Sequence, residues 1–175
     1  MGAVILAAGA GTRMGGVAKA LLRRGDRTFL ECIVQTAKAE DVVVVVGPPY
    51  GEQVATHARE SGARVAVNED PSRGMASSIN LGFAAMMSAA IDAAWLWPVD
   101  HPDVASSTLR ALVDAIGSHD VARPICGGRG GHPPLVKRTL FGRLATCANA
   151  RDVIAAADVV AVEVDDKGTI EDVDR

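Results

Sequence analysis

Five consecutive valines, Val42–Val46, constrain this chain more than any other stretch. A strand with one wet face alternates apolar and polar residues, because successive side chains point to opposite faces. A run apolar at every position has both faces covered, which is the pattern of a parallel sheet between two helical layers. Ala3-Val4-Ile5-Leu6-Ala7 reads the same way. Further strands are expected at Arg64–Val67, Ala94–Pro98, Val121–Pro124 and Val159–Val164. Helices are expected at Thr28–Ala39, Glu52–Ser61, Met75–Ala90, Ser106–Ile116, Lys137–Ala145 and Ala150–Ala156, with Ser106 or Ser107 as the N-cap of the fourth. Strands alternating with helices predict an α/β, Rossmann-like three-layer sandwich with a mostly parallel central sheet. No repeat, linker or low-complexity segment interrupts the 175 residues, so a single domain over 1–175 is expected.

With aromatic residues at 3%, Ala, Val, Leu and Ile must build the core. A formal charge of -3 argues against a binder of nucleic-acid backbone, which carries a basic face. Cys32, Cys126 and Cys147 are far apart, with no CxxC pair, as expected of thiols in a reducing cytoplasm. No basic stretch followed by an apolar run opens the chain, and the longest apolar candidate for a membrane span, Met75–Trp97, is broken by Ser, Asn, Gly and Asp. A cytoplasmic protein without membrane or nucleic-acid partners is expected.

In sheets of this kind ligands bind at the carboxyl ends of the strands, so the loops there are where chemistry belongs. The loop after the first strand has glycines at 9, 11, 15 and 16, whose amides can line an anion-binding concavity, and Arg13 and Lys19 add positive charge. A plain strand-to-helix turn is the alternative. The dinucleotide fingerprint GxGxxG is missing, since Met14 stands where the third glycine belongs, and no Gly-Lys-Ser/Thr supplies a P-loop. In Trp97-Pro98-Val99-Asp100-His101-Pro102 a carboxylate between two prolines suits Mg²⁺, or else caps a turn. Asn68–Ile79 runs a polar loop into a helix with Ser77 and Ser78 in its first turn, fit either for a phosphate or base edge or for capping by Ser72 or Ser77. The loop Gly127–Pro134 carries His132 and closes either over a ligand or as a surface hairpin. Asp165, Asp166, Glu171, Asp172 and Asp174 read mostly as an exposed acidic tail. His57 and His119 have no metal-ligand spacing, and neither HExxH nor GxSxG occurs.

Taken in order, these segments resemble the nucleotidyltransferases of the molybdenum cofactor type. Leu6-Ala7-Ala8-Gly9-x-Gly11-x-Arg13-Met14-Gly15 with Lys19 is similar to their first motif, Gly74–Ile79 to the second, Pro98–Pro102 to the third and Gly131-His132-Pro133 to the fourth. Asp172-Val173-Asp174 resembles the start of their closing Asp-Ile-Asp-Thr-Pro-Glu-Asp segment, which this sequence leaves at Arg175. The resemblance implies a nucleotide-diphospho-sugar transferase-like fold. It implies that Ala7, Ala8, Gly9, Ala10 and Gly11 meet the nucleotide, with Arg13 and Lys19 on its phosphates and Ser77 and Ser78 near base or ribose. It implies Mg²⁺ on Asp100, with Asp172 or Asp174 as second carboxylate, and His101 and His132 toward the acceptor. Ala8, where GTP-using relatives have glycine, resembles the CTP branch, the molybdenum cofactor cytidylyltransferases. The implied reaction moves CMP, with GMP as the alternative, to a molybdopterin-type acceptor with release of pyrophosphate, and a molybdoenzyme maturation partner is implied beside it. Two rivals stand: a cytidylyl- or uridylyltransferase for a sugar phosphate or methylerythritol phosphate, and a nucleotide- or cofactor-binding module without turnover.

Overall fold

The computed structural model describes residues 1–9 and 18–173. Its strands are β1 (Gly2–Leu6), β2 (Arg23–Arg24), β3 (Arg27–Thr28), β4 (Asp41–Val46), β5 (Arg64–Val67), β6 (Ala93–Pro98), β7 (Val121–Cys126), β8 (Arg129–Gly130), β9 (Leu135–Lys137) and β10 (Val159–Glu163). Its helices are α1 (Phe29–Ala37), α2 (Gly51–Glu60), α3 (Met75–Met86), α4 (Ser106–Ile116), α5 (Phe141–Leu144) and α6 (Ala150–Ala155). The main sheet runs β10-β7-β9-β6-β1-β4-β5, with β8 paired to β7 at the side. β1 lies parallel between β4 and β6, so every residue of β1 is buried.

Because the strand period is two, alternate residues feed two separate cores. Ala3 and Ile5 of β1, Val44 and Val46 of β4, and Trp95 and Trp97 of β6 face Phe29, Leu30 and Ile33 of α1, Val54 and Ala58 of α2, and Leu109 and Leu112 of α4. Val4, Leu6, Val43, Val45, Ala94 and Leu96 face Ile79, Phe83 and Met86 of α3, together with Phe141, Leu144, Ala150 and Val153 of α5 and α6. The unbroken apolar runs are the signature of this double coverage. α3 comes closest to the sheet through Gly82, where a Cβ would fall 2.3 Å from Val4 Cγ1.

Three local expectations need correction. Lys137–Ala145 is not one helix: Leu135–Lys137 is a strand inserted antiparallel between β6 and β7, and only Phe141–Leu144 is α-helical. Leu135 and Val136 fill the gap between those strands and are buried, which outweighs the helical spacing that follows. α3 ends at Met86 rather than Ala90. Neither Ser106 nor Ser107 caps α4; its N-cap is Ala105, whose N–H is taken by the Asp166 carboxylate at 2.9 Å from far along the chain. Thr28, by contrast, sits at the start of α1 in a capping box with Glu31, accepting from the Glu31 amide while the Glu31 side chain accepts from its own.

A candidate nucleotide and metal site at the carboxyl edge of the sheet

The loops after β1, β4, β5 and β6 converge at one edge. Ala7 still donates its N–H to Val45 at 2.8 Å, so the first loop leaves the sheet only after that residue. Ala7 and Ala8 are buried and Gly9 is exposed. Ala10, Gly11 and Arg13 lie outside the described residues, as does Asp174. Gly47, after β4, is pressed between Ala8 and the β5 exit: a Cβ there would lie 2.7 Å from the Asn68 carbonyl oxygen and 3.2 Å from the Ala8 Cβ.

Asn68 organises the next loop. Its buried Nδ2 donates to Ser77 Oγ and Ser78 Oγ, each at 2.9 Å, and its Oδ1 accepts from the Asp70 amide. Ser77 Oγ in turn donates a hydrogen bond to the Gly74 carbonyl at 2.7 Å. Neither Ser72 nor Ser77 caps α3; the N-cap is Gly74, at φ 92 and ψ 173, with no side-chain cap. That backbone conformation favours glycine. The result is a 12-residue helix whose amino end is free of a capping side chain and bordered by two fixed serines. Asn68 was not among the site residues expected from sequence. An asparagine at a strand end ahead of a polar loop was the available signal, and its partners nine and ten residues away were not readable.

Asp100 follows β6. One carboxylate oxygen, Oδ2, lies 3.7 Å from Lys19 Nζ. The other, Oδ1, is buried without a hydrogen-bond partner among the described residues; His101 Nε2 is 3.8 Å away, too long for a hydrogen bond. His101 is buried, and its Nδ1 lies 3.1 Å from the Gly168 carbonyl oxygen, which makes Nδ1 the protonated nitrogen and turns Nε2 toward Asp100. Trp97 Nε1 donates to the His101 carbonyl at 2.9 Å. The His132 ring stands 5.1 Å from that of His101, centroid to centroid, and its Nδ1 is buried without a partner. Burial first, and then the charges of His101, Arg123 and Arg151, push the His132 pKa down to about 4, with Asp100 pulling the other way.

The acidic end of the chain behaves differently from an exposed tail. Asp165, Glu171 and Asp172 are exposed, as expected, but Asp166 is a structural anchor. Its carboxylate accepts from the Ala105 amide, from Thr108 Oγ1 at 2.6 Å and from the Gly168 amide. Residues 166–173 then run as a strap past the site. The Gly168 carbonyl receives His101, the buried Thr169 carbonyl receives the His132 amide at 2.8 Å, and the Val173 amide donates to the Asp100 carbonyl at 2.9 Å. Asp172 is thereby carried next to the Asp100 backbone, although among the described residues no three acidic, histidine or cysteine side chains converge as a metal cluster. His57 and His119 stand apart on the surface, the latter 3.0 Å from Asp158. The three cysteines are free thiols.

Sheet order and helical layers define an α/β nucleotide-diphospho-sugar transferase-like architecture, with Lys19 and Asp100 at the carboxyl edge of its sheet. The chain belongs to the MobA-like NTP transferase domain family, whose profile matches residues 3–163. It is 33% identical over 190 residues to the nicotine blue oxidoreductase of Paenarthrobacter nicotinovorans, covering 98% of this chain and 90% of that protein. Rv0371c from Mycobacterium tuberculosis H37Rv is 27% identical with a TM-score of 0.75, covering 93% of this chain and 87% of its own. The same protein in complex with manganese is 25% identical with a TM-score of 0.71, at 93% and 87% coverage. No helix among the described residues is long and apolar enough to cross a membrane.

Proposed function

We propose that this NTP transferase family member moves CMP, in preference to GMP, from a nucleoside triphosphate to a phosphate-bearing acceptor of the molybdopterin type, with Mg²⁺ at Asp100. The observation that carries this reading is the Asp100 carboxylate: one oxygen buried without a partner among the described residues, the other 3.7 Å from Lys19. A buried carboxylate oxygen without a donor is costly unless a cation or a proton completes it. A hard cation takes one or two carboxylates and leaves its other positions to phosphate oxygens and water, so the donor set fits Mg²⁺. Asp172, on the strap beside Asp100, and Asp174 are the candidate second carboxylates. Bound there, the ion supplies positive charge against the phosphate oxygens.

The remaining work falls to the chain's own groups. Amides of the loop from Ala7 to Gly11 cradle the nucleotide, and Arg13 and Lys19 neutralise the triphosphate. Ser77 and Ser78, fixed by Asn68, border base or ribose, and buried Ala8 favours the cytosine nucleotide. His132, neutral because its pKa lies near 4, and His101 beside it line the acceptor side. The acceptor phosphate is already ionised at neutral pH, so positioning and charge neutralisation do most of the catalysis, without a protein nucleophile.

Replacing Asp100 by Asn keeps the shape and removes the charge. The expected result is loss of pyrophosphate release by at least about a hundredfold with an unchanged far-UV spectrum; near-normal turnover would sink the metal assignment. A second reading has a specific support: the relative at 33% identity bears the name of an oxidoreductase. Against it, the glycine loop lacks the third glycine of the dinucleotide fingerprint. Oxidation of a reduced nicotinamide by the purified protein, with no pyrophosphate release from CTP or GTP, would favour that reading.

A further inference from the structure

Beyond the motifs lies a second concentration of positive charge. Arg123 is exposed on β7, two residues after Val121, and so points to the same side of the sheet. That side is the one on which Val121 packs with Ala150 and Val153 of α6. Arg151 stands exposed in the first turn of α6. The Arg123 guanidinium lies over Gly130, where a Cβ would fall 2.4 Å from its central carbon. Gly131 follows, its amide donating to the Pro124 carbonyl at 2.8 Å, and then His132. Neither arginine is in an ion pair among the described residues. Both arginines act electrostatically on His132, whose Nδ1 is buried without a partner. The Arg123 guanidinium over Gly130, two residues from the buried and unpartnered His132 Nδ1, with Arg151 on the same side of the sheet, is favourable to an anion.

We propose that Arg123, Arg151 and His132 form an anion subsite that takes the phosphate monoester of the acceptor, separate from the triphosphate cradle at Lys19. This rests on the transfer reading above. In that reaction an acceptor phosphate oxygen forms a bond to the α-phosphorus, the bond from that phosphorus to the bridging oxygen breaks, and pyrophosphate leaves with the electron pair. No proton needs to move. The arginines hold the attacking dianion against its repulsion from the triphosphate. They make the subsite selective for acceptors ending in a phosphate over those ending in a hydroxyl. Gly130 is a positioning residue, since a side chain there displaces the Arg123 guanidinium.

The test titrates inorganic phosphate calorimetrically into the full chain, alone and preloaded with Mg²⁺ and CTP. The same titrations are run on the Arg123→Gln/Arg151→Gln double variant and on Gly130→Ala. The expected result is phosphate binding in the wild type that survives CTP loading. It should weaken at least about tenfold in the double variant and by less in Gly130→Ala, while CTP affinity stays unchanged. Equal phosphate affinity in all three proteins, or no phosphate binding to the wild type, overturns the proposal. A parallel loss of CTP affinity also overturns it, by assigning the arginines to the triphosphate. Arginine-dependent phosphate binding without any nucleotidyl transfer would leave the subsite standing and remove the transfer reading.

Discussion

Lys19 and Asp100 stand 3.7 Å apart although distant in the sequence, one before β2 and one after β6. Replacing Lys19 by Ala should weaken CTP binding measured calorimetrically by about one to two orders of magnitude, with little change in melting temperature. Unchanged CTP affinity would count against its phosphate role. His132 makes a prediction of a different kind. Its folded pKa is near 4 and its ordinary value is 6.5, so between these values the unfolded chain binds the extra proton. Its contribution to stability is therefore complete above about pH 6.5 and is lost as pH falls toward 4. In metal-free protein, urea unfolding at pH 7, 6, 5 and 4 should show wild type losing stability relative to His132→Gln across that window. Parallel curves would contradict the burial of a neutral imidazole. At this scale Asp100 and His132 stand out in the sequence because they follow strands. Their couplings do not. The Asn68 link to Ser77 and Ser78, the His101 contact with Gly168, and the approach of Arg123 to Gly130 depend on side-chain directions that no spacing rule encodes.

Among the elements, α3 and the strap at 166–173 bear most directly on the site. α3 brings Ser77 and Ser78 to the carboxyl edge of the sheet and can do so because Gly82 lets it lie against β1. A methyl group there meets Val4 at 2.3 Å, so Gly82→Ala should cost about 1–3 kcal/mol in urea unfolding and shift the first turn of the helix away from Asn68. Wild-type stability in that variant would show that the helix has room to spare. The strap depends on Asp166, which holds the α4 amino end, Thr108 and the Gly168 turn at once. Asp166→Ala should lower stability by about 1–2 kcal/mol and loosen the hold on both histidines, lowering transfer while leaving CTP binding close to wild type. Equal losses in CTP binding and in turnover would contradict the strap's selective role. Why the strap was not legible is instructive. An acidic, glycine-bearing end ordinarily solvates, and Asp165, Glu171 and Asp172 do. Asp166 differs through its distant partners Ala105 and Thr108, which hold its carboxylate beside the local Gly168 amide. β9 was missed for a related reason: its three residues are too short for a periodic signal, and they become a strand because β6 and β7 leave a slot between them.

The molecule as a whole follows from its unbroken apolar runs. β1 and β4 are apolar at consecutive positions because each alternate face feeds its own core, and this makes the parallel, doubly covered sheet readable from the sequence. In sheets so covered ligands bind at the carboxyl ends of the strands, and at that edge lie Lys19, the Asn68 loop, Asp100 and the strap. The central claim is transfer of a nucleotidyl group with the loss of pyrophosphate. It is tested most directly by mixing the full chain with Mg²⁺, molybdopterin, and either CTP or GTP, and following released pyrophosphate together with the nucleotide-bearing product. The account predicts release that needs protein, metal, acceptor and triphosphate together, faster with CTP than with GTP and lost in Asp100→Asn. No release with either triphosphate, or release that ignores the acceptor and persists in Asp100→Asn, would contradict it.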